Sequence, residues 1–204
     1  LLFKELEEQL LPDGAHYEQS PMYHCILLDR LLDCYNVSMN NLRFIRQEGL
    51  NERLRERASR MLGHLAPVVY KDNTIPLLND SAEGIAPSPT QLFAYAKRLD
   101  IDWEKLPMGA CGYRKLMAGH WEAIVDVGDI RASYQPGHSH ADTLNYELRI
   151  GGKPFVVDTG VSTYDKTARR QYERGTAAHN TVMIGDKNSS EVWGGFRVGR
   201  RARV

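Results

Sequence analysis

With 204 residues, 42% of them hydrophobic and 25% charged, the chain has the length and composition of one large globular domain or two small ones. Its 26 basic residues balance 26 acidic ones, which argues against a general field for nucleic acid or an anionic membrane surface. Cys25, Cys34 and Cys111 are too few and too scattered for a disulfide framework and read as small buried residues, and no apolar run approaches the ~20 residues of a membrane span.

Leu2, Phe3, Leu6 and Leu10 recur at helical spacing over residues 1–11, and Pro12-Asp13-Gly14 then reads as a turn. Ser20 is suited to cap a second helix whose first residue is Pro21, with Ile26, Leu27, Leu31 and Cys34 on one stripe. A third amphipathic helix is predicted over 51–66, carrying Leu54, Ala58, Met61, Leu62 and Leu65 and closed by Pro67. Residues 68–70 and 75–78 straddle the turn-like Lys71-Asp72-Asn73, as a hairpin or an extended loop. Ser88-Pro89-Thr90-Gln91 has the form of a capping box opening a helix to about residue 99.

After Trp103 the pattern changes, with alternation over 121–127 and again around 144–150. Gly151-Gly152-Lys153 turns into 155–157, a hairpin signal, and 182–184 and 196–204 read as further strands. The expectation is an α+β chain, helical over 1–102 and antiparallel β, a sandwich, over 103–204. The chain begins inside a helix without methionine and ends in a strand-like pattern, so it reads as a piece of a longer protein. Lys4, Glu5, Glu7 and Glu8 interrupt its first apolar stretch, which therefore does not read as a signal peptide.

Chemistry concentrates in Gly137-His138-Ser139-His140-Ala141-Asp142, where Gly137 permits a turn and two histidines and an aspartate fall at i, i+2 and i+4. Extended backbone would point all three to one face. With Asp158 and His179 downstream, they make a carboxylate–imidazole set of the kind that binds zinc or moves protons, although the spacing is no compact zinc signature. Tyr17 and Tyr23 are two of ten tyrosines, and a phenol with pKa about 10 is a poor base until nearby cations lower it. Asn79-Asp80 reads as a turn whose side chains cap backbone amides. Arg169, Arg170 and Arg174 suit sugar carboxylates or sulfates, or a solvated face. Trp193 could stack on a sugar, while Trp121 alternates with polar residues and reads as core.

Four stretches together resemble the heparinase II/III-like polysaccharide lyases: residues 13–24 (Asp-Gly-Ala-His-Tyr-Glu-Gln-Ser-Pro-Met-Tyr-His), 137–142, Val157-Asp158-Thr159-Gly160, and Ala178-His179-Asn180-Thr181-Val182. The resemblance implies an α/α toroid followed by an antiparallel β-sandwich, with residues 1–102 the end of the toroid and 103–204 the start of the β-domain. It also implies a site in the cleft between them that cleaves a uronic-acid-containing acidic polysaccharide by β-elimination. Tyr23 would be the acid, with a role as base left open. His138 would be the second catalytic group, as base or as neutraliser of the uronate carboxylate. Tyr17, Glu18, His24 and Arg174 would contact substrate, and His140, Asp158 and His179 would hold a structural zinc. The setting implied is the periplasm or cell envelope of a bacterium.

The family also places an asparagine, or an asparagine–histidine element, ahead of the tyrosine motif. Residues 1–12 hold none, and Asn40-Asn41 follows the motif. Weak or absent activity is therefore expected of residues 1–204 alone. Two other readings are a non-catalytic carbohydrate-binding module that keeps the metal site, and a zinc hydrolase, for which no acidic general base is evident.

Overall fold

The computed structural model of the protein describes residues 1–41, 43 and 48–204. Helix α1 (Leu2–Glu8) buries Leu6, and the chain then folds back so that Leu10 bridges His16. In α2 (Pro21–Met39), the Ser20 hydroxyl accepts the Tyr23 N–H at 3.2 Å and Pro21 occupies the first turn, as the sequence predicts. Helix α3 (Leu50–Val68) runs one residue beyond Pro67 instead of stopping before it. The proline cannot donate to the Gly63 carbonyl, and the Leu106 N–H takes that acceptor at 3.0 Å, so the last turn loses nothing. Helix α4 (Pro89–Arg98) opens with the reciprocal Ser88–Gln91 capping box.

The strands β1 (Tyr113–Ala118), β2 (Trp121–Asp126), β3 (Tyr146–Ile150) and β4 (Lys153–Val156) form one antiparallel sheet in sequence order. Tyr113 pairs with Asp126, Trp121 with Ile150 and Ile150 with Lys153. Helix α5 (Ala168–Glu173) and the hairpin β5 (Val192–Trp193) and β6 (Arg197–Val198) complete the β half among the described residues. Among the described residues no helix is long and apolar enough to cross a membrane.

Several sequence expectations are corrected. Residues 182–184 are exposed and form no strand, with only Ile184 bridging Lys187: β-branched side chains favour a strand only where a partner edge is present. Strand structure in 196–204 is confined to Arg197–Val198. Of the two alternatives for 68–78, the structure takes the extended loop: a helix end, a turn closed by the Tyr70 N–H on the Thr74 carbonyl, and irregular chain to residue 78, not a hairpin. Trp121 lies on the open face of β2 and Cys34 on the surface, so neither is core. β1 and α5 have no counterpart in the sequence reading.

Two apolar clusters organise the chain. The larger holds the helices together through residues such as Leu28, Leu32, Leu54, Met61 and Leu62. The smaller joins Ala15, Val68, Tyr70 and Leu78 to Cys111, Tyr113 and Ile124, and so seals the helices onto the sheet. Gln19 reinforces this joint, donating to the Cys111 carbonyl at 2.7 Å and the Asp129 carbonyl at 3.0 Å and accepting the Arg131 N–H at 2.8 Å.

Candidate active site

The site assembles where the first turn of α2 meets the long loop between β2 and β3. Ser20 fixes the start of α2, and that cap sets Tyr23 at the surface of the joint. The Tyr23 ring lies on the His138 ring, with centroids 3.9 Å apart and planes 27° from parallel. Its hydroxyl is 2.9 Å from the Tyr164 hydroxyl. Tyr164 in turn stacks on Phe196 at 5.6 Å.

Asp80 is the hub beneath this surface. Fully buried, it accepts from His138 Nδ1 at 3.0 Å through Oδ2 and from His140 Nε2 at 2.7 Å through Oδ1. The Arg170 guanidinium grips the same carboxylate at both oxygens, with Nη2 to Oδ2 at 2.7 Å. Burial alone would raise the Asp80 carboxyl, but the hydrogen bonds from His138, His140 and Arg170 outweigh it and hold the group well below the usual carboxylate range. The ionised carboxylate only accepts, so His138 carries its proton on Nδ1 and His140 carries one on Nε2. His138 Nε2 then points its lone pair outward, 3.6 Å from Glu18. Burial pushes the Glu18 carboxyl up, against the pull of His138.

Above these groups opens a cleft of about 730 Å3, lined by Glu18, His138, Lys166, Trp193, Phe196 and Arg197, among others. One acidic and two basic side chains among these, with a tryptophan half exposed at the edge, suit an anionic polymer carrying flat apolar sugar faces.

His140 and His179 face each other behind the cleft, ring centroids 5.2 Å apart. His179 Nδ1 pairs with Asp158 Oδ2 at 2.8 Å, and Asn145 donates to the same oxygen at 2.6 Å. His140 Nδ1 and His179 Nε2 are both buried without a hydrogen-bond partner. Two orphaned imidazole nitrogens, each with its ring fixed by a carboxylate on the other nitrogen, are what a metal site supplies. The residues therefore fit a bound ion. Asp158 spends its Oδ2 on His179 and Asn145, and the three groups do not close to within 4.8 Å of one another; among the described residues only Asp13, His64 and Cys111 do so.

The predicted set is only partly drawn together. His138 and Glu18 line the cleft, with Tyr23 stacked on His138 beside it; His140, Asp158 and His179 lie behind it. His24 does not reach the cleft: it is buried, accepting the His16 N–H at Nδ1 and bonding the Met61 carbonyl through Nε2 at 3.0 Å. Tyr17 is buried against Tyr134 instead of lining the cleft. Arg174 is fully buried, its guanidinium spread over the carbonyls of Ser139, Trp193, Gly194 and Arg197, and burial lowers its pKa to about 10. It shapes the loop that carries His138 and His140; the arginine of the site is Arg170. Asn79 does cap a backbone amide, accepting the His140 N–H at 3.0 Å, whereas Asp80 does not behave as a turn residue. The extended-strand picture of 138–142 also fails. His138 and His140 share Asp80 from a loop, and Asp142 turns away beside Asn145 and Asp126.

Comparison with known proteins gives two family matches: "Heparinase II/III N-terminus" over residues 1–103 and "Heparinase II/III-like, C-terminal" over 101–204. A heparin-sulfate lyase of Pedobacter heparinus is 24% identical over 213 residues, covering 92% of this chain and 31% of the relative. One from Bacteroides thetaiotaomicron is also 24% identical, covering 95% and 33%. Among solved structures, a heparan sulfate lyase mutant from Pedobacter heparinus superposes with a TM-score of 0.69 at 21% identity, covering 92% of this chain and 32% of that one. A heparinase III does so with a TM-score of 0.69 at 19% identity, covering 99% and 35%. The chain thus shares the fold of these structures and spans about a third of the length of the curated relatives it matches.

Proposed function

This chain belongs to the heparinase II/III-like family, and from that we propose that it carries the acid–base centre of a polysaccharide lyase. The substrate proposed is a uronic-acid-containing acidic polysaccharide of the heparin-sulfate type, by the names of the relatives. The observation that carries the reading is the stacked Tyr23–His138 pair, built from both halves of the chain, in which His138 lines the cleft and Tyr23 packs against it.

β-Elimination removes the proton at C5 of the uronate, breaks the C4–O bond and leaves a C4=C5 double bond. His138 Nε2 takes the C5 proton, and the Asp80 carboxylate at Nδ1 stabilises the imidazolium that results. The Tyr23 hydroxyl protonates the departing O4, and Tyr164, 2.9 Å away, orients it. Arg170 keeps Asp80 ionised throughout. Charge developing on the uronate carboxylate needs a donor as well, and the Asn-type element of the family is not found in residues 1–12.

The metal proposed is zinc, held through His140 and His179 with Asp158 beside them. Its role is structural, supplying a fixed positive centre that orders the loops behind the cleft. A bacterial periplasmic or envelope setting accords with a polymeric substrate met outside the cytoplasm.

The direct experiment is to incubate heparin-type and other uronate polymers with the protein containing these residues and follow the ultraviolet absorbance of 4,5-unsaturated uronate. No absorbance gain with any uronate polymer would overturn the lyase reading. Sugar binding without product, unchanged by Tyr23→Phe, would favour a non-catalytic binding module.

A further inference from the structure

The second set of facing ligand groups lies at the joint between the helices and the sheet, outside the cleft. Asp13 lies in the first turn, His64 sits on α3 and Cys111 precedes β1. The carboxylate oxygen, imidazole nitrogen and sulfur of these residues lie within 4.8 Å of one another, all buried. We propose that Asp13, His64 and Cys111 bind a divalent cation of the zinc class and staple the helical half to the sheet.

Several observations carry this. His64 Nδ1 is buried without a hydrogen-bond partner, in a side chain only 4% exposed, which is costly unless something partners that nitrogen. The backbone is shaped to bring the three segments close. A Cβ on Gly14 would stand 2.3 Å from the Arg60 carbonyl oxygen, and one on Gly63 would stand 2.4 Å from the Glu104 carbonyl oxygen. A glycine thus adjoins both Asp13 and His64, where α3 is approached most closely. Asp13 is already fixed, its Oδ2 accepting the Gly109 N–H at 3.2 Å and the Cys111 N–H at 2.9 Å.

The donor set selects the ion. Oxygen, imidazole nitrogen and sulfur together suit zinc and its borderline neighbours, not calcium or magnesium. Donors on one tetrahedral zinc lie roughly 3.3–3.8 Å apart, from bonds of about 2.0–2.3 Å, so ångström-scale side-chain rotation completes the site. Binding breaks the Cys111 S–H bond, sends the proton to solvent and gives the thiolate electron pair to the ion, with no change in oxidation state. A nucleophilic Cys–His–Asp reading is excluded by access, because Cys111 is fully buried. The site is independent of the lyase reading. It would hold the loop from Asp13 to Glu18 that leads into the cleft.

Cobalt is the probe, because sulfur ligation gives Co2+ a near-ultraviolet charge-transfer absorption that oxygen and nitrogen ligands do not. The metal-free protein titrated with Co2+ should develop that absorption, saturating at one equivalent in the His179→Ala background, where the site behind the cleft is disabled, and lost on adding Zn2+. It should vanish in Cys111→Ser, persist in His179→Ala, and need on the order of tenfold or more cobalt in His64→Gln. If Cys111→Ser loses its circular dichroism, Asp13→Asn with the thiol intact should show the same rise in cobalt required. No charge-transfer absorption at saturating Co2+, its survival in folded Cys111→Ser, or unchanged cobalt demand in both His64→Gln and Asp13→Asn overturns the proposal.

Discussion

The ring of Tyr23 rests on the ring of His138 at 3.9 Å, so a helix N-terminus and a loop of the β half meet in one stacked pair. Contact of this kind survives loss of the hydroxyl. Tyr23→Phe should keep the stack, the fold and polymer binding, while product release falls by a factor of about 10²–10⁴, the usual share of a positioned proton donor. His138→Ala should fall at least as far. The check is the unsaturated-uronate absorbance beside a binding isotherm; a Tyr23→Phe variant with undiminished turnover would remove the phenol from the mechanism.

Asp80 answers two histidines and an arginine at once, with its own side chain and that of Arg170 fully buried. Asp80→Ala leaves a buried guanidinium without its anion and should cost about 3–5 kcal/mol of stability. Asp80→Ala combined with Arg170→Met should recover much of that, because no lone charge remains. Urea unfolding of the three variants decides it. Equal losses for the single and double variants would mean that the ion pair is not what the core depends on.

The helices and the hairpin were legible because their signals are local. Ser20-Pro21 starts α2, Ser88 and Gln91 cap α4 across three residues, and Gly151-Gly152 joins β3 to β4. The hub of the site was not legible. Asp80 lies 58 residues from His138 and Tyr164 lies 141 residues from Tyr23, and no periodicity links partners so far apart. Asp80 looked like half of an Asn-Asp turn, and only its neighbour Asn79 behaves as one. Arg170 and Arg174 illustrate the same limit. Both looked suited to a sugar carboxylate or to a solvated face, whereas burial sets Arg170 on Asp80 beneath the site and Arg174 against four carbonyls of the supporting loops. His24 shared a motif with Tyr23, but the next residue on a helix faces another direction, here into the core.

Asp126 gives a pH signature separate from catalysis. Burial first, and then the facing Asp142, push its carboxyl up to about 8, against roughly 3.9 in an unfolded chain. The folded state therefore holds the proton more tightly. Its contribution is complete below about pH 4 and is lost as pH rises through about 8. Asp126→Asn keeps an oxygen to accept the Gly128 N–H and has no proton to lose. The variant should gain stability relative to the parent as pH goes from 5 to 9, measured by chemical denaturation at each pH. Parallel stability curves would show that Asp126 titrates normally.

Gln19 tests whether the two halves are held as one unit. Its side chain bonds the Cys111 and Asp129 carbonyls and the Arg131 N–H, and its carbonyl accepts from Asn79. Gln19→Leu keeps much of the volume and the main-chain bond to Asn79, but leaves the buried Cys111 carbonyl and the partly buried Asp129 carbonyl and Arg131 N–H without their side-chain partner, at up to about 1–3 kcal/mol each before relaxation or water replaces them. A net loss of about 2–4 kcal/mol is expected on that basis. The unfolding transition should stay single if helices and sheet melt together and split if the joint fails first. Hydrogen exchange would show the split as early loss of protection in β1 and β2 while α2 and α3 remain protected.

Lys166 and Arg197 at the cleft should bind polymer charge without touching the reacting atoms. Each exposed cation paired with a sulfate or carboxylate is worth about 0.5–1 kcal/mol, so either alanine variant should weaken binding by roughly two- to fivefold. Screening supplies the control. The loss should shrink as ionic strength rises past the point where the Debye length is about 8 Å, because added salt already removes what the variant lacks. Affinity for a heparin-type polymer, measured at low and high salt for the parent and both variants, separates this from misfolding, which would weaken binding equally at every salt concentration. If the two variants bind as the parent does at low salt, the polymer's charge is read by another part of the cleft, and Trp193 with Phe196 would then be left to hold the sugar faces by stacking alone.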